Sequence, residues 1–183
     1  GIKKPDISIL SDDFLEEVQG MERKNLALEL LKKILNDEIR SRGKKNFIQS
    51  KKLSEMLENA IKKYQNNLIT AAQVIDELIN LAKEVRESDE RADELGMTDY
   101  EVAFYDALAN NDSAKDVLGD DILRELARIL VERVRSNASI DWTIKESVQA
   151  KLRVIVKRTL NQFGYPPDMQ KLATENILKQ AEL

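Results

Sequence analysis

The sequence predicts an all-α fold, a compact multi-helix domain of about eight helices, and three observations carry that expectation. The three prolines, Pro5, Pro166 and Pro167, lie outside the long periodic segments, and most of the six glycines fall at segment ends. Apolar residues recur at three- and four-residue steps over most of the chain. No stretch alternates with period two for long enough to make a strand. Helices are placed at 12–19, 22–42, 49–67, 71–93, 99–109, 121–137, 143–163 and 167–182, each end to within about 2–4 residues.

Taken in order, the first helix opens where Ser11 precedes Asp12 and Asp13, a hydroxyl cap followed by acids that suit the positive end of a helix dipole. The second is apolar over a wide arc through Leu26, Leu30, Leu31, Ile34, Leu35 and Ile39, so it is expected between neighbours, as the central helix. Gly43 terminates it. The third buries Leu53, Met56, Leu57, Ala60, Ile61 and Tyr64. The fourth, opened by Thr70, buries Ala71, Val74, Ile75, Leu78, Ile79, Ala82 and Val85, and Gly96 closes the charged connector behind it. Thr98 and Glu101 form a capping box ahead of the fifth helix, and 121–137 is the sixth. The seventh, 143–163, carries Ile144, Val148, Leu152, Ile155, Val156, Leu160 and Phe163 on one arc of roughly 160° at 100° per residue, a core-facing stripe. Trp142 is expected to close the core edge, with Asp141 or Thr143 capping the first turn. Gly164 ends this helix, Pro166 and Pro167 turn the chain, and Asp168 opens the eighth.

At 183 residues and 42% apolar composition, the chain has the size of one ordinary domain or two very small ones. Residues 1–11 read as a linker or an expression-derived N-terminus, and 12–183 as a helical domain. The start on Gly rather than Met suggests a C-terminal domain cut from a longer protein. The absence of cysteine and histidine excludes disulfides, Cys- or His-ligated metal centres, thiolate nucleophiles and a Ser-His triad, and fits a cytoplasmic location. No apolar run approaches the ~20 residues that span a bilayer, and no membrane partner is expected.

A net charge of −4 gives no general attraction to DNA, but charge is unevenly distributed. Between Met21 and Lys63 twelve cations face six acids; between Glu87 and Asp121 twelve acids face two cations. The two regions are expected either to attract each other or to offer opposite patches to different partners. The stretch "ESDERADELGMTD", Glu87 to Asp99, reads as a charged connector or a docking surface. The turn bearing Arg40, Arg42, Lys44 and Lys45, followed by Lys51 and Lys52, is the best local candidate for phosphate or partner contact, against a plain solvated turn.

In the seventh helix Arg153 and Lys157 line one margin of the stripe, and Lys151 and Arg158 the other. A DNA-reading helix would gather such groups on one exposed face, so a structural role is favoured. Val154 points away from the core, toward another helix or a partner. Glu55–Glu58 and Glu87–Glu90 have the Glu-x-x-Glu spacing of a magnesium-dependent all-α nucleotide pyrophosphohydrolase, a spacing equally common among surface carboxylates.

The blocks "IDWTIKESVQAKLRVIVKRTLNQFGYPPD", "NLALELLKKILNDEIRSRGKKNFIQSKKLSEMLENAIKKYQNN" and "DYEVAFYDALANNDSA" together resemble the C-terminal helical domain of the restriction (R) subunit of type I restriction-modification enzymes, from about Phe14 to Leu183. In that family the complete subunit joins a magnesium-dependent nuclease to an ATP-driven double-stranded DNA translocase. It assembles with methyltransferase (M) and specificity (S) subunits, and cuts unmethylated DNA. The resemblance implies that this chain fastens the motor to the methyltransferase core. A DNA-contacting role in the same subunit and an unrelated helical adaptor are the alternatives. No catalytic residue carries over and no cofactor is expected in the chain itself. "RSRGKKN" offers Gly43 and Lys44 but lacks the upstream Gly and the hydroxyl of a phosphate-binding loop, and there is no strand to carry the nuclease motif.

Overall fold

Ser11 does start the first helix, its hydroxyl accepting the Phe14 N–H. In this computed structural model, which describes residues 10–138, 143 and 145–183, that helix is α1 (Asp12–Gln19). It is followed by α2 (Lys24–Ser41), α3 (Phe47–Gln65), α4 (Ala71–Ser88), α5 (Arg91–Leu95), α6 (Asp99–Ala109), α7 (Asp112–Leu118), α8 (Asp120–Asn137), α9 (Glu146–Gln162), a 3-10 turn (Pro167–Met169) and α10 (Gln170–Glu182). The fold is all-α, and among the described residues no helix is long and apolar enough to cross a membrane. The contacts group into two compact units. The first runs to Gly43 and resumes from Ser50 to Glu94; the second comprises Lys44–Gln49 and Leu95–Leu183.

In the first unit α2 packs along α4, and α1 lies against both. Leu15 and Val18 of α1, Ala27, Leu28, Leu31, Leu35 and Ile39 of α2, Leu53, Leu57 and Ala60 of α3 and seven residues of α4 close one core. Leu10 belongs to it too: it is 1% exposed and its carbonyl accepts from Arg86, so the expected linker ends inside the core; residues 1–9 lie outside the described residues. The expectation that α2 is central is corrected. Leu26 is 52% and Leu30 37% exposed, because Leu26 sits about 160° around the helix from the buried face. The more enclosed helix is α4. It ends at Ser88, five residues before its expected limit, and α5 follows as a separate short helix. At the end of α3 Asn67 adopts φ 58° while the Leu68 N–H reaches the Lys63 carbonyl, a glycine-type terminator made by asparagine.

In the second unit α6 is the enclosed helix: all eight residues from Val102 to Ala109 are buried, and it packs on α8 and α10. Thr98 and Glu101 close the expected capping box. Behind α6, Asn111 caps α7 by accepting the Ser113 N–H, an element the sequence reading lacked. The stripe of α9 turns inward at Leu152, Val156 and Leu160, each fully buried. Val148, Ile155 and Phe163 are half-buried, and Ile144, with Asp141 and Trp142, lies outside the described residues. Thr143 is not the cap: Lys145 holds that position, and the Thr143 carbonyl accepts from the Gln149 amide. Gly164, at φ 74°, ends the helix as expected, with the Tyr165 N–H on the Leu160 carbonyl.

Candidate interaction surfaces

Among the described residues five polar side chains are buried, and each holds structure. In the first unit Glu38 pairs with Arg42 at 2.8 Å. In the second, Asp106 accepts from Asn46 at 2.6 Å; Thr159 receives Arg133 at 2.8 Å and donates to the Ile155 carbonyl; and Thr174 donates to the Gln170 carbonyl at 2.7 Å. Gln180 accepts the Phe47 N–H at 2.9 Å and donates to the Lys45 carbonyl at 3.0 Å. Asn46 also caps α3 through the Gln49 N–H. The segment Lys44–Gln49 is therefore fixed in the second unit by α6 and α10, an anchorage reinforced where the Lys179 ammonium lies 4.9 Å from the Phe47 ring centroid. Tyr165, 1% exposed, donates to the Leu108 carbonyl at 2.8 Å, and burial raises its pKa above the usual value.

The six candidate cations of the basic stretch do not fall in one unit. Arg40, Arg42, Lys51 and Lys52 belong to the first, and Lys44 and Lys45 to the second. Arg42 is fully engaged: its Nε and Nη2 each lie 2.8 Å from a carboxylate oxygen of Asp89, and its Nη1 lies 2.8 Å from both the Glu38 carboxylate and the Glu38 carbonyl. Asp89 foremost, then Glu38, holds the guanidinium still more firmly protonated than usual, against desolvation. Lys45 meets Asp99 at 3.3 Å, both half exposed. Arg40, Lys44, Lys51 and Lys52 are exposed.

The basic and acidic regions thus do attract each other, in one pair inside each unit: Arg42–Asp89 and Lys45–Asp99. In the acidic connector Glu87, Glu90, Asp93 and Glu94 remain exposed. Of the two Glu-x-x-Glu pairs, Glu55–Glu58 lies on α3 as expected, whereas Glu87–Glu90 is split, since α4 stops at Ser88. Among the described residues no three acids are placed to hold a metal ion. One Glu-x-Lys triplet exists, Glu22 to Lys24, but it opens α2 rather than ending a strand, and Lys24 donates to the Gln19 carbonyl.

On α9 the expectation that the cations merely flank a buried stripe needs revision. Only Arg153 turns to its own domain, meeting Glu175 of α10 at 3.0 Å. Lys151, Lys157 and Arg158 are exposed, and at 100° per residue they fall with Val154 within about 120° of one outward face. The two margins of a buried stripe meet again around the back of the same helix, which the linear reading treated as separate edges.

The model of one protein family, described as "Type I restriction enzyme HindI endonuclease subunit-like, C-terminal", matches residues 1–183. The chain is 37% identical over 179 residues to the type I restriction enzyme HindI endonuclease subunit of Haemophilus influenzae, covering 98% of this chain and 17% of that protein. It is 41% identical over 165 residues to a putative type I restriction enzyme MjaIXP endonuclease subunit of Methanocaldococcus jannaschii, covering 88% of this chain and 16% of that protein. The chain thus spans about a sixth of the length of these relatives. No solved structure matches.

Proposed function

The chain belongs to the C-terminal family of type I restriction enzyme endonuclease subunits, and from that premise we propose that it is the assembly module of such a subunit, docking an ATP-driven motor and nuclease onto a methyltransferase core. One observation carries the reading. All five polar side chains buried among the described residues bind backbone or a neighbouring side chain of their own unit, so their chemistry serves rigidity. Helical units fixed in this way suit the transmission of load, and reactive groups are supplied by the remaining five-sixths of the parent.

The partners on this reading are methyltransferase and specificity subunits, with DNA, ATP and magnesium handled elsewhere in the complex and the whole acting in the cytoplasm. The family membership sets aside the unrelated adaptor, and the pyrophosphohydrolase reading has no metal-holding cluster among the described residues to support it. Size-exclusion chromatography with light scattering tests the proposal: the chain, mixed with purified methyltransferase–specificity complex of its own system, is expected to elute as a stoichiometric assembly. Separate elution at micromolar concentrations of both would refute it.

A further inference from the structure

The outward face of α9 is charged with a single sign. Over the eight residues from Lys151 to Arg158, a rise of about 10 Å, it displays three cations and no acid. Among the described residues none of the three lies within ion-pair distance of a carboxylate, although Arg153, one residue from the same face, is paired. Val154, at their centre, is 52% exposed. A β-branched residue is a poor choice for a solvent-facing helix position and gains nothing there from water. The opposite side of the helix is fixed by Leu152, Val156 and Leu160, and by Arg133, which bridges Thr159 and Gln162 at 2.8 and 3.0 Å. The face is therefore presented on a rigid support, which lowers the ordering cost of binding.

We propose that Lys151, Val154, Lys157 and Arg158 form a docking face for a protein surface with an acidic rim around an apolar centre. Resting on the assembly reading above, that surface belongs to the methyltransferase core. Charge complementarity requires an anionic counterpart, and the exposed valine selects protein over nucleic acid: interfaces between proteins place apolar groups at the centre and charge at the rim, whereas a phosphate backbone has nothing for Val154 to meet. The net charge of −4 also opposes long-range approach to a polyanion.

The test measures binding of the whole chain, wild type and variants, to purified methyltransferase–specificity complex and, separately, to a short duplex DNA. All four positions are exposed, so K151E/K157E/R158E is expected to keep its helical circular dichroism while losing about 100-fold in affinity for the complex. V154S, which leaves every charge in place and keeps the question decidable if the triple variant misfolds, is expected to lose about 10-fold. Wild-type binding should weaken as ionic strength rises past about 0.1 M. Undiminished binding by both folded variants overturns the α9 face and leaves the assembly reading standing. No binding by the wild type removes that reading and this inference with it. Salt-sensitive DNA binding by the wild type, lost in the triple reversal, overturns the protein partner in favour of nucleic acid.

Discussion

Arg42 is bound on every side, and its surroundings set the outcome of removing it. Glu38 is buried and gains its counter-charge from Arg42 alone among the described residues, so Arg42→Met should cost about 1–3 kcal/mol by stranding that carboxylate. Arg42→Lys should recover only part, since an ammonium cannot reproduce the forked contact with Asp89; urea unfolding midpoints decide both. Tyr165 gives a pH-dependent case. Because burial raises its pKa, the fold binds the phenolic proton more tightly than the unfolded chain does. Its contribution is complete below the ordinary tyrosine value near 10 and falls as pH rises through the folded value. Thermal midpoints between about pH 9 and 11 should therefore drop more steeply in the wild type than in Tyr165→Phe. Neither role was legible in the sequence. Tyr165 reaches its acceptor across 57 positions and Gln180 its donor across 133, and no local pattern encodes such pairings.

Among the helices, what could be read was whatever is written locally. Ser11, Thr70 and Thr98 cap where their spacing to the first turn says they should, and Thr70→Ala or Thr98→Ala should each cost about 1 kcal/mol in the same assay. The errors arose where periodicity is ambiguous. In α2 leucines occur on opposite sides, so the arc looked wide although only Leu31, Leu35 and their neighbours face the core. Leu31→Ala should cost about 2–5 kcal/mol, and Leu26→Gln less than about 0.5. Asp89 ends α4 through its backbone and receives Arg42 on its side chain, and no proline or glycine marks the break. The central place of α6 was visible only as a short run in which Asp106 is the one charged residue after Glu101, and its enclosure depends on α8 and α10 arriving from far along the chain.

At the scale of the molecule, the second unit depends on its last third. Chain truncated at Ser139 loses α9, the 3-10 turn and α10, and with them Tyr165 on the Leu108 carbonyl and Gln180 on the Lys44–Gln49 segment. Such a truncation should be insoluble or should lose cooperative unfolding, read by calorimetry. If the chain is the assembly module, its removal from the parent subunit should separate assembly from chemistry. The deciding measurement compares the intact endonuclease subunit with one lacking the region equivalent to residues 12–183, by analytical ultracentrifugation with the methyltransferase–specificity complex. The shortened subunit should remain folded and hydrolyse ATP yet sediment apart from the complex. Co-sedimentation equal to that of the intact subunit would contradict the account.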